Sequence, residues 1–247
     1  GLMTRPIILG NGNMLVCLDK HSRIRDFYYP YVGQENHVSS NRHFIGVFVD
    51  GKFSWVSNDD WDLKLDYLND TLVSNTTAYS KKLNVKLKIN EAVHHEKNIF
   101  LRKVEVFNEG KERDVKIFFG QHFHISEASI GDTVYYNPLL ESIINYKGKR
   151  YFLIGGLNEG RPFDDYATGV AGAEFKEGTF VDAENGILSK NPIEHGSVDS
   201  TVGFTLHIQK NDSKTIEYFI GVGQRYREVE QLREFIVDRG VGSLIDE

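Results

Sequence analysis

Leu83-Asn84-Val85-Lys86-Leu87-Lys88-Ile89 alternates apolar and polar side chains at every step. Successive side chains of an extended strand point to opposite faces, so the stretch reads as a strand with one buried and one wetted face. The pattern repeats outward in both directions. Residues 44–56 read as two strands around Asp50-Gly51, a dipeptide suited to the positive φ angles of a tight hairpin turn. Residues 100–107 and 114–119 flank Asn108-Glu109-Gly110-Lys111, and 142–146 and 151–154 flank Lys147-Gly148-Lys149-Arg150. Both pairs are expected as hairpins. Further strands are expected at 169–175, 200–209 and 215–222.

The rest of the composition agrees. The 247 residues include only five prolines (6, 30, 138, 162 and 192), each outside these runs, as a missing ladder donor requires. Sixteen Phe and twelve Tyr suit pleated, half-buried surfaces. No helical stretch alternates with the strands and no repeat is visible. The expected fold is all-β, an antiparallel sandwich over 1–225.

Charge and cysteine usage narrow the function. Lys and Arg total 29 against 35 Asp and Glu, a net charge of −6, which argues against a nucleic-acid surface. No apolar run is long enough to span a membrane, and no signal peptide is visible. The only cysteine, Cys17, lies in Met14-Leu15-Val16-Cys17-Leu18 and reads as a small buried hydrophobe. A reducing, cytoplasmic setting is therefore expected. Gly1-Leu2 ahead of Met3 reads as a cloning remnant.

The C-terminus changes period. Val229, Leu232, Phe235 and Ile236 are spaced as one helix face over 226–239, with Gly240 as the terminating residue. Ser243 and Asp246 read as a capping box opening another helix, so 226–247 is expected to lead into a further domain.

Few segments offer chemistry. Tyr28, Tyr29, Tyr31, Gln34, Glu35, Asn36 and His37 crowd aromatics, amides, a carboxylate and an imidazole around Pro30 and Gly33. Sugar sites need flat aromatic faces for pyranose rings and forked polar groups for hydroxyls, so these seven are the candidate contacts to substrate or a neighbouring domain. His122 and His124 are expected on one strand face, with Glu127 as a nearby carboxylate. His94-His95-Glu96 adds nitrogen ligands, but neither set locally supplies the three or four that zinc needs, so no metal or other cofactor is expected. Gly10-Asn11-Gly12-Asn13 and Asp59-Asp60-Trp61-Asp62 read as turns.

Two long motifs carry a resemblance. The opening, Arg5-Pro6-Ile7-Ile8-Leu9-Gly10-Asn11-Gly12-Asn13 through Asp19-Lys20-His21 to Asp26-Phe27-Tyr28-Tyr29-Pro30-Tyr31-Val32-Gly33-Gln34-Glu35-Asn36-His37, resembles the start of prokaryotic family 15 glycoside hydrolases. That group includes glucoamylases, glucodextranases and related trehalases. Glu91-Ala92-Val93-His94, Asn98-Ile99-Phe100-Leu101-Arg102 and Gly196-Ser197-Val198-Asp199-Ser200 are also similar to its N-terminal region. The resemblance implies a super-β-sandwich related to galactose mutarotase, joined by linker helices to an (α/α)₆ barrel. In that group the barrel holds the catalytic carboxylates, one protonating the leaving oxygen and one activating water. It implies no catalytic residue in this chain, whose partners would be that barrel and its α-glucan or α-glucoside. A free-standing carbohydrate-binding module and a sugar mutarotase or epimerase are the alternatives.

Overall fold

A computed structural model describes residues 7–38, 43–57, 59–68, 71–125, 131–170 and 178–247. The strands run in the order β1 (Ile7–Gly10), β2 (Leu15–Leu18), β3 (Ile24–Tyr28), β4 (Phe44–Val49), β5 (Lys52–Trp55), β6 (Asp62–Tyr67), β7 (Ser74–Ser80), β8 (Val85–Val93) and β9 (Ile99–Asn108). There follow β10 (Arg113–Gln121), β11 (Asp132–Asn137), β12 (Ser142–Lys147), β13 (Arg150–Asn158) and β14 (Asp165–Val170). Helix α1 (Thr179–Glu184) precedes β15 (Ile193–Gly196), β16 (Val198–Ile208) and β17 (Asp212–Gly223), and α2 (Tyr226–Arg239) and α3 (Val241–Ile245) close the chain.

Among the described residues every strand pairing is antiparallel. A small sheet orders β1-β2-β3, a second orders β14-β16-β10-β4-β5, and a nine-stranded sheet orders β15-β11-β12-β13-β17-β9-β8-β7-β6. The all-β reading holds. Asp50 and Gly51 take φ of 52° and 72°, the two positive angles of the tight turn between β4 and β5. No helix of the described residues is long and apolar enough to cross a membrane.

Three local expectations are corrected. Strands β9 and β10 do not form a hairpin: β9 pairs with β8 and β17, while β10 pairs with β4 and β16. The turn at 108–112 instead carries the chain from one large sheet to the other. Alternation cannot tell these outcomes apart, because Val104 and Val106 and the facing Val115, Ile117 and Phe119 bury equally well from opposite sheets. The buried Asn108 fixes the crossover. Its amide donates to the carbonyls of Lys111 (2.8 Å) and Ile208 (2.9 Å), and its oxygen accepts from Gly110 and Arg113. The strand expected at 169–175 is β14, beginning at Asp165; residues 171–177 lie outside the described ones. Ser243 is not a cap but sits inside α3, with Asp246 at the helix end. The backbone break comes three residues earlier, at Gly240 with φ 83°, and Glu217 supplies the capping oxygen to the Gly242 N–H at 3.1 Å.

The buried apolar side chains of the described residues fall into three clusters. Even-numbered residues of β9 and β17, including Phe100, Val104, Ile216, Ile220 and Val222, face the main core between the two large sheets. The central strands of the nine-stranded sheet are buried on both faces, so Ile99-Phe100-Leu101 and Phe152-Leu153-Ile154 are apolar throughout. Their outward members meet α2 and α3 in a second cluster with Val229, Ile236, Val241, Leu244 and Ile245. Fully burying Val229 and Ile236 contributes about 1.5–3 kcal/mol each before entropy is counted. Helix α2 approaches because β17 offers glycine beneath it: a Cβ on Gly223 would lie 2.9 Å from that of Glu228. Helix α1 covers the other large sheet through Ala183, beside Phe118, Ala167 and Leu188.

Gly156 is a comparable close contact inside the sandwich. A Cβ there would meet Phe204 at 2.7 Å and the Glu217 carbonyl oxygen at 2.8 Å. Gly156→Ala is expected to destabilise by about 1–3 kcal/mol, read as a lowered thermal midpoint with unchanged far-UV circular dichroism.

Candidate functional site

Residues 28–37 leave β3 and fold back onto it. Tyr29 N–H donates to the Glu35 carbonyl (3.2 Å), Gln34 to that of Tyr31 (3.1 Å), and His37 to that of Phe27 (2.8 Å). Tyr28 ends β3 opposite Leu15 and bridges to Asn36. The Asn36 oxygen accepts from Phe27 and Val38, and its amide donates to Asp26 at 2.8 Å. His37 is fully buried and its Nε2 donates to the Tyr29 carbonyl at 2.6 Å, since a carbonyl can only accept. Glu35 receives two bonds from Arg150, at 2.9 and 3.2 Å, and this guanidinium holds its carboxyl below the ordinary range. Asn36, His37 and Glu35 thus hold the segment in shape. Tyr31 is 59 % exposed and Gln34 is also exposed.

Tyr29 is the member that reaches a groove. Its ring, with the Arg150 guanidinium 5.9 Å away, lines one end of a cleft of about 390 Å³. Glu96, Lys97 and Asn98 of the β8–β9 connection form one wall; Gln224, Glu228, Gln231, Leu232 and Phe235, leading into and along α2, form the other. The size suits a small ligand or an inserted side chain from a neighbouring domain. Burial, with the Glu228 carboxylate nearby, pushes the Tyr29 phenol up, so it stays a neutral donor at any physiological pH. Glu228 accepts from the Gln224 N–H at 2.6 Å, and Glu96 stands on an exposed turn.

The chain is 29% identical over 217 residues to an uncharacterised glycosyl hydrolase of Methanocaldococcus jannaschii, a match covering 86% of this chain and 33% of that protein. It superposes with a TM-score of 0.74 on a bacterial glucoamylase solved with acarbose, at 15% identity, covering 98% of this chain and 37% of that one. The fold is related to that of glycoside hydrolases. A protein of Escherichia coli K12 described as an aldose 1-epimerase also matches, at TM-score 0.51 and 9% identity, over 90% of this chain and 99% of that one. No family model matches. The chain spans about a third of the length of the hydrolase and glucoamylase it resembles.

Within this hydrolase-related sandwich the histidines fall into two groups. His122 and His124 follow the end of β10, their rings 4.7 Å apart and perpendicular, and burial lowers both, His122 to about 4. Glu127 lies outside the described residues. The second group gains a member that sequence spacing could not reveal, because Glu247 brings a carboxylate to His94 and His95. His94 Nδ1 accepts the N–H groups of Glu96 (3.2 Å) and Lys97 (3.0 Å), so its proton sits on Nε2 and donates to Glu247 at 2.9 Å. A metal on Nε2 would need that proton moved to Nδ1, against two N–H donors, so the geometry assigns a hydrogen-bonded clasp between the β8–β9 connection and the residues just after α3. The turn at Asn11 joins it, its amide donating to the carbonyls of His94 (2.9 Å) and Lys97 (3.0 Å).

The groove residues of α2 were missed as a set. Their signal was present: Glu228, Gln231 and Phe235 recur at three- and four-residue steps, one stripe of a helix, beside the apolar stripe that identified it.

Proposed function

We propose that this chain is the non-catalytic sandwich domain of an inverting, glucoamylase-like α-glucoside hydrolase, which supports the catalytic barrel and presents the Tyr29 groove toward it. The carrying observation is the fold likeness to a glucoamylase over 98% of this chain and 37% of the other. The 29% identity to a glycosyl hydrolase about three times longer supports the same reading. Inversion needs two carboxyl groups flanking the scissile bond with room for water. Both belong, in this reading, to the remaining two thirds of the enzyme. The 28–37 segment then acts as a rigid rim, its Tyr31 and Val32 exposed for contact.

A mutarotase reading rests on the likeness to a protein described as an aldose 1-epimerase, which this chain covers almost entirely. One experiment separates the two. The full gene product and the 247-residue chain are assayed side by side on maltose, maltooligosaccharides, dextran and trehalose, with the anomer of released glucose read by NMR. Release of β-glucose by the longer protein alone is expected. Acceleration of anomer exchange by the 247-residue chain itself would replace the hydrolase reading with the epimerase one.

A further inference from the structure

The outer face of the nine-stranded sheet changes chemistry along its length. Under α2 it is wholly apolar and without hydroxyl groups, with Ile144, Leu153, Leu101 and Phe219 in one cluster with Val229 and Ile236. Beyond the first residue of that helix it becomes tyrosine. Strand register explains the arrangement: His195, Thr133, Tyr146, Tyr151 and Gly223 stand directly opposite one another across β15, β11, β12, β13 and β17. The next row on the same face runs Ile193, Tyr135, Ile144 and Leu153. Tyr146 and Tyr151 stack at 5.0 Å with planes 7° apart, and Tyr135 meets Tyr146 edge-on at 6.1 Å. Tyr226, at the start of α2, closes the end, its phenol accepting from the Asn137 amide at 3.1 Å. Thr133, Tyr135, Tyr146, Tyr151, His195 and Tyr226, with Ile193, line a groove of about 370 Å³.

We propose that this groove binds a neutral oligosaccharide. The sheet residues buried in the cluster beneath α2 carry no hydroxyl; here each ring carries one, and the Thr133 hydroxyl and His195 imidazole, 3.1 Å apart, add further donors and acceptors. Ring faces paired with hydroxyl-bonding groups are what a pyranose presents a need for. The lining holds no Lys, Arg, Asp or Glu, so phosphorylated sugars, uronates and nucleotides find no counter-charge. The groove is distinct from the Tyr29 cleft, with which it shares no lining residue. The proposal does not depend on the hydrolase reading; only the choice of α-linked glucans as first probes does.

The test is NMR titration of the 247-residue chain with maltoheptaose, isomaltotriose and cellopentaose at millimolar concentration, alongside Tyr146→Ala, Tyr151→Ala and Tyr151→Phe. Binding of at least one saccharide is expected, with ring-proton shifts at Tyr135, Tyr146 and Tyr151. Loss of either ring should weaken it by about tenfold, while Tyr151→Phe, which keeps the ring, should weaken it less. Thermal melts establish that each variant is folded; should an alanine variant not fold, protection of these tyrosines from nitration by the bound saccharide serves instead. No binding by any probe, or shifts confined to other residues, overturns the proposal. Which linkage binds bears on the hydrolase reading alone.

Discussion

Arg102→Met is expected to lower the unfolding free energy by about 3–5 kcal/mol. Arg102 and Glu91 face each other on β9 and β8 and point into the main core, 3 % and 0 % exposed, with Nε to Oε2 at 2.8 Å. The guanidinium is 5.1 Å from the centroids of Phe100 and Tyr218 and 5.6 Å from that of Phe119. Methionine keeps most of the volume but strands a carboxylate among those rings, with Ser74 as its remaining hydroxyl contact at 3.5 Å. The urea midpoint should fall steeply with little change in slope. Combining it with Glu91→Leu removes the orphaned charge and should recover most of the loss, because a buried pair often breaks even with apolar residues of similar size. If the single variant lost under about 1 kcal/mol, the carboxylate would have found water or taken up a proton.

The second large effect is electrostatic and depends on pH. Asp132 is fully buried and its carboxyl is pushed up to about 7, mainly by burial. A carboxyl raised in this way holds a proton in the folded chain that the unfolded chain has already released. The stability it contributes is present below the ordinary carboxylate range and is lost as pH rises through 7. Asp132→Asn should therefore match the parent near pH 4 and exceed it by about 4 kcal/mol above pH 8, read by urea melts across that range. Equal pH profiles for the two proteins would show that the carboxylate is solvated when ionised.

Histidines push the other way. Burial lowers His43 to about 3 and His122 to about 4, so between pH 6.5 and 4 the unfolded chain binds protons that the folded chain refuses. Acidification thus removes stability through them, at about 1.4 kcal/mol per pH unit each, while Asp132, with Asp199 at about 6, returns it.

What the sequence made legible follows from which signals are local. Alternation at 83–89 and the Asp50-Gly51 turn each depend on a few neighbouring residues, and the turn was read correctly. The strand exists but begins at Val85, after a turn that takes in Leu83 and Asn84, and runs on to Val93. Helix α2 matched to the residue, because its stripe and its terminating Gly240 lie within one segment. Which strand pairs with which is not local. The 108–112 link has hairpin length and chemistry, and only the buried Asn108, bonding to a carbonyl a hundred residues away, marks it as a crossover. The candidate segment 28–37 was found by composition, but composition does not separate groups that face a cleft from groups that hold the loop. Tyr29 does the former, while Asn36 and His37 do the latter. Both grooves draw on residues far apart in the chain, joined only by register and by the docking of α2.

The strand order has a further bearing on how the protein comes to be folded. The last strand, β17, is inserted between β13 and β9, at the middle of the nine-stranded sheet. Without β17 the pairings of that sheet divide into two ribbons, β15-β11-β12-β13 and β9-β8-β7-β6, whose facing edge strands β13 and β9 would each lack a partner. Such edges are templates for pairing with other chains. Strand β17 supplies ten register positions to β9 and eight to β13, joining segments more than fifty residues apart. The final strand is thus a keystone, and assembly of this domain should be slow, late and dependent on shelter for the nascent chain.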